Sequence, residues 1–146
     1  MSQVGKLLDS KGAVIWSVLP DDSVFTAIKL MDEKGIGALL VLQNEQLIGI
    51  ISERDCARKV ILKQLPAEDT KVKDIMTKEI VYSQPTQTVN ECMAIMTQRC
   101  IRHLPILDNK QLLGMISLGD LAKEVIAEQK FKIDNLENTI SWGENY

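Results

Sequence analysis

The sequence predicts a mixed α+β fold in which two copies of one strand-helix-strand-strand-helix unit pack as a single module with an approximate two-fold axis. Three observations predict it: an internal repeat, the same hydrophobic pattern in each copy, and the small size of each copy. Sliding the 146-residue chain against itself by 65 residues aligns 15–61 with 80–126 without a gap, and 17 of the 47 positions are identical. Pro20 meets Pro85, Val24 meets Val89 and Met31 meets Met96, and the run Gln-Leu-Ile-Gly-Ile-Ile-Ser at 46–52 meets Gln-Leu-Leu-Gly-Met-Ile-Ser at 111–117. Upstream, Val4-Gly5-Lys6-Leu7-Leu8 resembles Val72-Lys73-Asp74-Ile75-Met76 at a spacing of 68, so the first copy carries three extra residues around 9–12. Duplication accounts for a match of this length.

Each copy opens on a short strand, at 15–18 or 80–82. A helix follows. Val24, Ala27, Ile28 and Met31 sit at i, i+3, i+4 and i+7, one helical face, with Asp22 or Ser23 as N-cap and Gly35 as stop. In the second copy the face is Val89, Cys92, Met93 and Met96, with Thr88 near the cap. Two apolar runs come next, 38–42 and 47–51, then 103–107 and 112–116. They are joined by the polar loops 43–46 and 108–111, the pattern of a β-hairpin. Because the runs are apolar throughout, both strand faces are expected to be covered. A second helix begins after Ser52 or Ser117. A copy of about 60 residues buries too little surface alone, so face-to-face packing, with two related clefts, is expected. The resulting division is 4–64 and 72–128, with the polar segment 63–73 around Pro66 as connector and 129–146 as a helical tail. From the last helix into the tail, Ile126, Ile133, Leu136 and Ile140 form a weak heptad-like stripe, which either meets a second copy or folds back on its own module.

Composition narrows the function. Seventeen Lys+Arg against 20 Asp+Glu give −3, without the basic excess of a nucleic-acid binder. No apolar run approaches the ~18 residues of a membrane span, and residues 1–6 lack the pattern of a signal peptide. The three cysteines, Cys56, Cys92 and Cys100, form no CxxC, which argues against a disulfide scaffold or zinc knuckle and suits a reducing, cytoplasmic setting. All three are expected in or near the core. His103 is the single histidine, so a multi-histidine metal site is excluded and no metal is expected.

Enzyme signatures are absent: the chain holds no GxGxxG, no GxxxxGK[ST] and no GxSxG. What recurs is Ser-x-x-Asp at the end of each hairpin, Ser52-Glu53-Arg54-Asp55 and Ser117-Leu118-Gly119-Asp120. One reading is structural, a capping box. The other is functional: a carboxylate at a strand-to-helix corner can accept both hydroxyls of a ribose, and the helix N-terminus suits a phosphate. The second notable cluster is Arg99, Cys100, Ile101, Arg102 and His103, opposite Lys34, Gly35, Ile36, Gly37 and Ala38 in the first copy. One copy thus supplies cations suited to phosphate, the other small residues that let backbone approach a flat ring.

With these motifs in register, the chain resembles the tandem CBS domain family, the paired arrangement also called a Bateman module, over about 4–127. The motifs that carry the resemblance are Ser52–Asp55, Arg102-His103-Leu104-Pro105, Ser117–Asp120, Gly49 and Gly114, and Asp74-Ile75-Met76-Thr77. It implies a stand-alone, bacterial-type regulatory module, not an enzyme. Such a module senses an adenine nucleotide (AMP first, then ADP, ATP or NAD), forms a homodimer and acts on an unidentified protein. It also implies two clefts. Near Asp120, the ribose falls to Asp120 and the phosphate to Ser117, Gly119, Arg102 and His103. The adenine then lies against Met115 and the backbone of Ile36, Gly37 and Ala38, with Ile15 and Trp16 nearby. Near Asp55, the roles pass to Ser52, Arg54, Asp55 and Ile50, opposite Thr77, Ile80, Val81, Ile101, Arg102 and His103. The alternative is a protein-interaction module whose clefts are vestigial.

Overall fold

The structure, a computed structural model, describes residues 2–12 and 14–144, and for 137–144 the backbone alone. The chain forms two compact units, one of Val14–Tyr82 and one of Met1–Ala13 with Ser83–Tyr146.

In the unit Val14–Tyr82, strand β1 (Ser17–Val18) runs parallel to β2 (Ala38–Gln43), which pairs antiparallel with β3 (Gln46–Ser52). Between β1 and β2 lies helix α2 (Val24–Lys34). Ser23 accepts the Thr26 N–H at its start, and Gly35 ends it in the left-handed conformation, φ 63. The β2–β3 turn is tighter than the expected four residues. Asn44 and Glu45 both take positive φ, which matches the twist of a two-residue hairpin and lets the strands run on to Gln43 and Gln46. After Ser52 come a single α-helical turn, α3 (Glu53–Cys56), and a π-helical turn (Ala57–Ile61). The face Val24, Ala27 and Met31 packs with Leu39, Val41, Ile51, Cys56 and Val60 in one core.

The other unit holds α5 (Val89–Arg99), β4 (His103–Asp108), β5 (Gln111–Ser117) and α6 (Leu118–Glu144). Its expected opening strand at 80–82 is reduced to one parallel bridge, Ser83 with Ile106. The cause is Pro105. In the first copy the Leu40 N–H donates to the Trp16 carbonyl at 3.3 Å; Pro105 stands in the place of Leu40 and has no N–H to give.

The leading helices change places. Helix α1 (Val4–Lys11) precedes the first copy in sequence but belongs to the unit of the second. There the N–H groups of Val4 and Gly5 donate to the carbonyls of Gln87 and Pro85, and Val4 and Leu8 are buried. Helix α4 (Val72–Ile75) does the same in the first copy's unit, its Val72 and Lys73 N–H groups donating to Asp22 and Pro20. The compact units therefore differ from the contiguous division 4–64 and 72–128. The expected tail at 129–146 has no boundary of its own, since α6 runs unbroken from Leu118 to Glu144, about 40 Å. Side chains 129–136 are all exposed. Ile126, Ile133 and Leu136 thus do not fold back on the unit, while Ile140 lies outside the residues whose side chains are described.

Candidate functional site

Both Ser-x-x-Asp corners are built alike. Ser52 Oγ accepts the Asp55 N–H at 3.1 Å and Asp55 Oδ2 accepts the Ser52 N–H at 3.1 Å. Ser117 Oγ accepts the Asp120 N–H at 3.1 Å and Asp120 Oδ2 accepts the Ser117 N–H at 2.8 Å. The capping reading is therefore correct for both, and it does not consume the whole carboxylate. A further backbone bond fixes each corner: the Glu53 N–H donates to the Gly37 carbonyl at 3.0 Å, and the Leu118 N–H to the Arg102 carbonyl at 2.8 Å. Gly37 and Arg102 are thereby set directly beside the corner of their own unit.

Around Asp55, Thr77 closes the corner. It pairs antiparallel with Ile50, its N–H donating to the Ile50 carbonyl at 2.8 Å, and its hydroxyl stands 3.4 Å from both Asp55 oxygens. Lys59 Nζ lies 3.1 Å from Asp55 Oδ1 and also donates to the Ile75 carbonyl. Ile15, Trp16, Ile36, Gly37, Ala38, Ile80 and Val81 belong to this same unit. Trp16 carries Lys34 Nζ over its ring, 4.2 Å from the centroid, and Ala38 is fully buried. Arg54 is exposed.

Around Asp120 the arrangement differs. Lys11 Nζ lies 2.6 Å from Asp120 Oδ2 and 3.0 Å from the Met115 carbonyl oxygen. Met115 is the counterpart of Ile50, so one ammonium does what the Thr77 backbone and hydroxyl do in the other unit. The sequence reading missed Lys11, although the three extra residues around 9–12 were its signal. They lengthen α1 to eight residues against four in α4. Burial raises the Asp120 carboxyl, but the Lys11 and Ser117 hydrogen bonds and the Lys11 charge outweigh it and hold the group below the usual carboxylate range. His103 shares the corner. Burial first, then the Lys11 charge, push its imidazole below its ordinary value; Asp120 opposes and Arg102 adds to the depression. Ile101, Arg102, His103, Met115, Ser117, Gly119 and Asp120 thus share one unit, with Arg102 and Gly119 exposed.

The cysteines divide. Cys56 and Cys92 are buried as expected, but Cys100 is exposed, because it forms the left-handed C-cap of α5 and its side chain leaves the core face. Among the described residues no helix is long and apolar enough to cross a membrane.

Fold and corners together define a tandem-repeat module in which each repeat ends on a capped aspartate. A family model for the CBS domain matches residues 13–62 and 72–127, and the chain belongs to the CBS domain family of regulatory and signal-transduction modules. The CBS domain-containing protein CBSX3, mitochondrial, of Arabidopsis thaliana is 36% identical over 148 residues, covering 98% of this chain and 70% of that protein. The CBS domain-containing protein YhcV of Bacillus subtilis (strain 168) is 31% identical over 114 residues, 78% of this chain and 81% of that protein. A solved structure of a protein with CBS domains from Burkholderia ambifaria MC40-6 superposes with a TM-score of 0.84 at 48% identity, covering 88% of this chain and 96% of that one.

Proposed function

We propose that this chain is an adenine-nucleotide sensor that regulates a partner protein and is not itself an enzyme. The carrying observation is the Asp120 corner: a carboxylate capped by Ser117 and paired with Lys11, beside His103, which in turn feels the Arg102 charge. In this reading Asp120 takes the ribose hydroxyls. Ser117, the Gly119 N–H, Arg102 and His103 face the phosphate, and Met115 flanks the adenine. Asp55, with Ser52, Arg54, Ile50 and Thr77, is the second corner. AMP is the first candidate, with ADP, ATP and NAD as alternatives. In this reading Arg102 supplies the positive charge that meets the phosphate, and no metal is required. Titration calorimetry with AMP tests the reading. Asp120→Ala is expected to weaken AMP by about 1.5–3 kcal/mol, the range for a hydrogen bond to a charged group, and free adenine little. Equal losses for AMP and adenine would remove the ribose role.

A homodimer belongs to the same reading. Phe25 on α2 and Ile126, Ile133 and Leu136 on α6 are exposed apolar side chains, and two-fold contacts reuse one patch on both subunits. Sedimentation showing only a 16.4 kDa monomer at tens of micromolar would exclude it. A reducing compartment such as the cytoplasm belongs to the same reading, supported by three cysteines that form no CxxC.

One observation favours a second reading, an interaction module with vestigial corners: the capping bonds and lysine pairs already occupy both aspartates. Its mark would be partner binding unchanged by Asp55→Ala with Asp120→Ala.

A further inference from the structure

The two corners meet the same need with different chemistry. At Asp55 the adjoining strand carbonyl, that of Ile50, is closed by a backbone pairing with Thr77 in both directions. Such a closure opens only if the chain itself moves. At Asp120 the equivalent carbonyl, that of Met115, and the carboxylate are both held by the Lys11 ammonium. This closure sits at the end of a flexible, exposed side chain that can swing away without disturbing the backbone.

Lys11 stands where a ligand would have to enter. Asp120 Oδ2 already accepts two donors, Ser117 N–H at 2.8 Å and Lys11 Nζ at 2.6 Å. The Ser117 bond is the helix cap and stays. A ribose cis-diol that uses both carboxylate oxygens therefore has to displace Lys11. The displaced ammonium is then a cation without its carboxylate in a corner that also holds Arg102 and the His103 ring. An uncharged nucleoside offers it nothing. A nucleotide brings an anionic phosphate that takes over its charge.

We propose that Lys11 is the residue that makes the Asp120 corner discriminate nucleotides from nucleosides: it is a built-in competitor for the carboxylate, and a phosphate compensates its displacement. The inference rests on the nucleotide reading of this corner. It makes the three-residue lengthening of the first copy the source of this lysine; at Asp55 the paired lysine is Lys59, which comes from the corner's own helix and leaves the Ile50 carbonyl to the Thr77 backbone.

The test compares the wild-type chain with Lys11→Gln and Lys11→Arg, using adenosine and AMP as probes in titration calorimetry. Lys11→Gln is expected to tighten adenosine about two- to fivefold, the range for a partly exposed ion pair, and to leave AMP unchanged or weaker. Lys11→Arg keeps the wild-type preference. An adenosine affinity that falls, or an AMP-to-adenosine preference that Lys11→Gln leaves unchanged, overturns the proposal. A ligand-free measurement separates it from the parent reading. The Asp120 carboxyl, followed by carbon-detected NMR titration, should titrate higher in Lys11→Gln than in wild type, and an unchanged titration also overturns it. If all three chains bind neither probe while the Asp120 titration shifts as expected, the nucleotide reading has failed and the ion pair alone stands.

Discussion

Cys100 holds the same left-handed backbone conformation at the end of α5, φ 55, that Gly35 holds at the end of α2, φ 63. Both cap their helix by donating N–H groups back to the last turn. Glycine enters this region without penalty, whereas a Cβ there crowds the neighbouring carbonyl at a cost of ~1 kcal/mol or more. Cys100→Gly is therefore expected to stabilise the protein by about 1 kcal/mol in chemical denaturation, with an unchanged dependence on denaturant. A loss of stability would mean that the Cys100 side chain contributes more than its backbone costs.

The same cap decides thiol reactivity. The Cys56 thiol is pushed up to about 11, by burial first and then by the charges of Asp55 and Glu53. Burial also raises Cys92, against the Ser83 hydrogen bond. The thiolate is the reactive species. At pH 7.5 in the native state, one thiol of the three should react rapidly with a maleimide, and peptide mapping should place it at Cys100. Labelling of Cys56 at a comparable rate would contradict the burial.

How far the sequence carried follows from the range of each interaction. The caps at Ser23 and Thr88, the stop at Gly35 and both hairpins were legible because each is a contact among residues close in sequence. The loss of the second opening strand was legible in principle, since Pro105 announces a missing donor. So was exposure at Cys100, which aligns with a glycine stop. The exchange of α1 and α4 was not. Val4 and Val72 are equally apolar and equally suited to either copy, and only the tertiary hydrogen bonds to Gln87 and Asp22 choose. The site divides the same way. Ser52, Asp55, Ser117 and Asp120 advertise themselves as a repeated local motif, while Lys11 reaches Asp120 across 109 positions.

Two strand glycines show why the leading helices fit where they do. A Cβ on Gly114 would stand 2.8 Å from Leu8 Cδ1, and one on Gly49 would collide with Met76 Sδ and lie 3.2 Å from the Thr77 carbonyl oxygen. The glycines make room for α1 and for the end of α4. Leu8 can turn aside, whereas the Thr77 carbonyl is held by its bond to the Ile50 N–H. Gly49→Ala should thus cost about 1–3 kcal/mol, as overpacking does, and Gly114→Ala less. Combining Gly114→Ala with Leu8→Ala should cost less than the sum of the two single changes. Additive losses would show that Leu8 does not rest on Gly114.

The pH dependence of stability follows from His103. Its folded-state imidazole lies below the ordinary value near 6.5, through burial first and the Lys11 charge next. Between the two values the unfolded chain binds the proton and the folded chain does not. Stability is therefore fully present above about pH 6.5 and falls as the pH is lowered through that point, until the folded imidazole also protonates. Asp120 acts in a separate, more acidic window and is displaced in the same direction, here because its charged form is favoured: its depressed carboxyl adds stability at neutral pH that is lost in strong acid, as the pH falls from the ordinary carboxylate value through the folded one. Because His103 is the single histidine of the chain, the first window isolates it. Urea denaturation at pH 7.5 and 5.5 should show lower stability at 5.5 in the wild type, and His103→Gln should flatten most of that difference. Wild-type stability that is equal or higher at pH 5.5 would contradict the assignment. A contact of His103 with phosphate favours the protonated imidazole, so AMP should bind more tightly as the solution is acidified, and His103→Gln should abolish that gain.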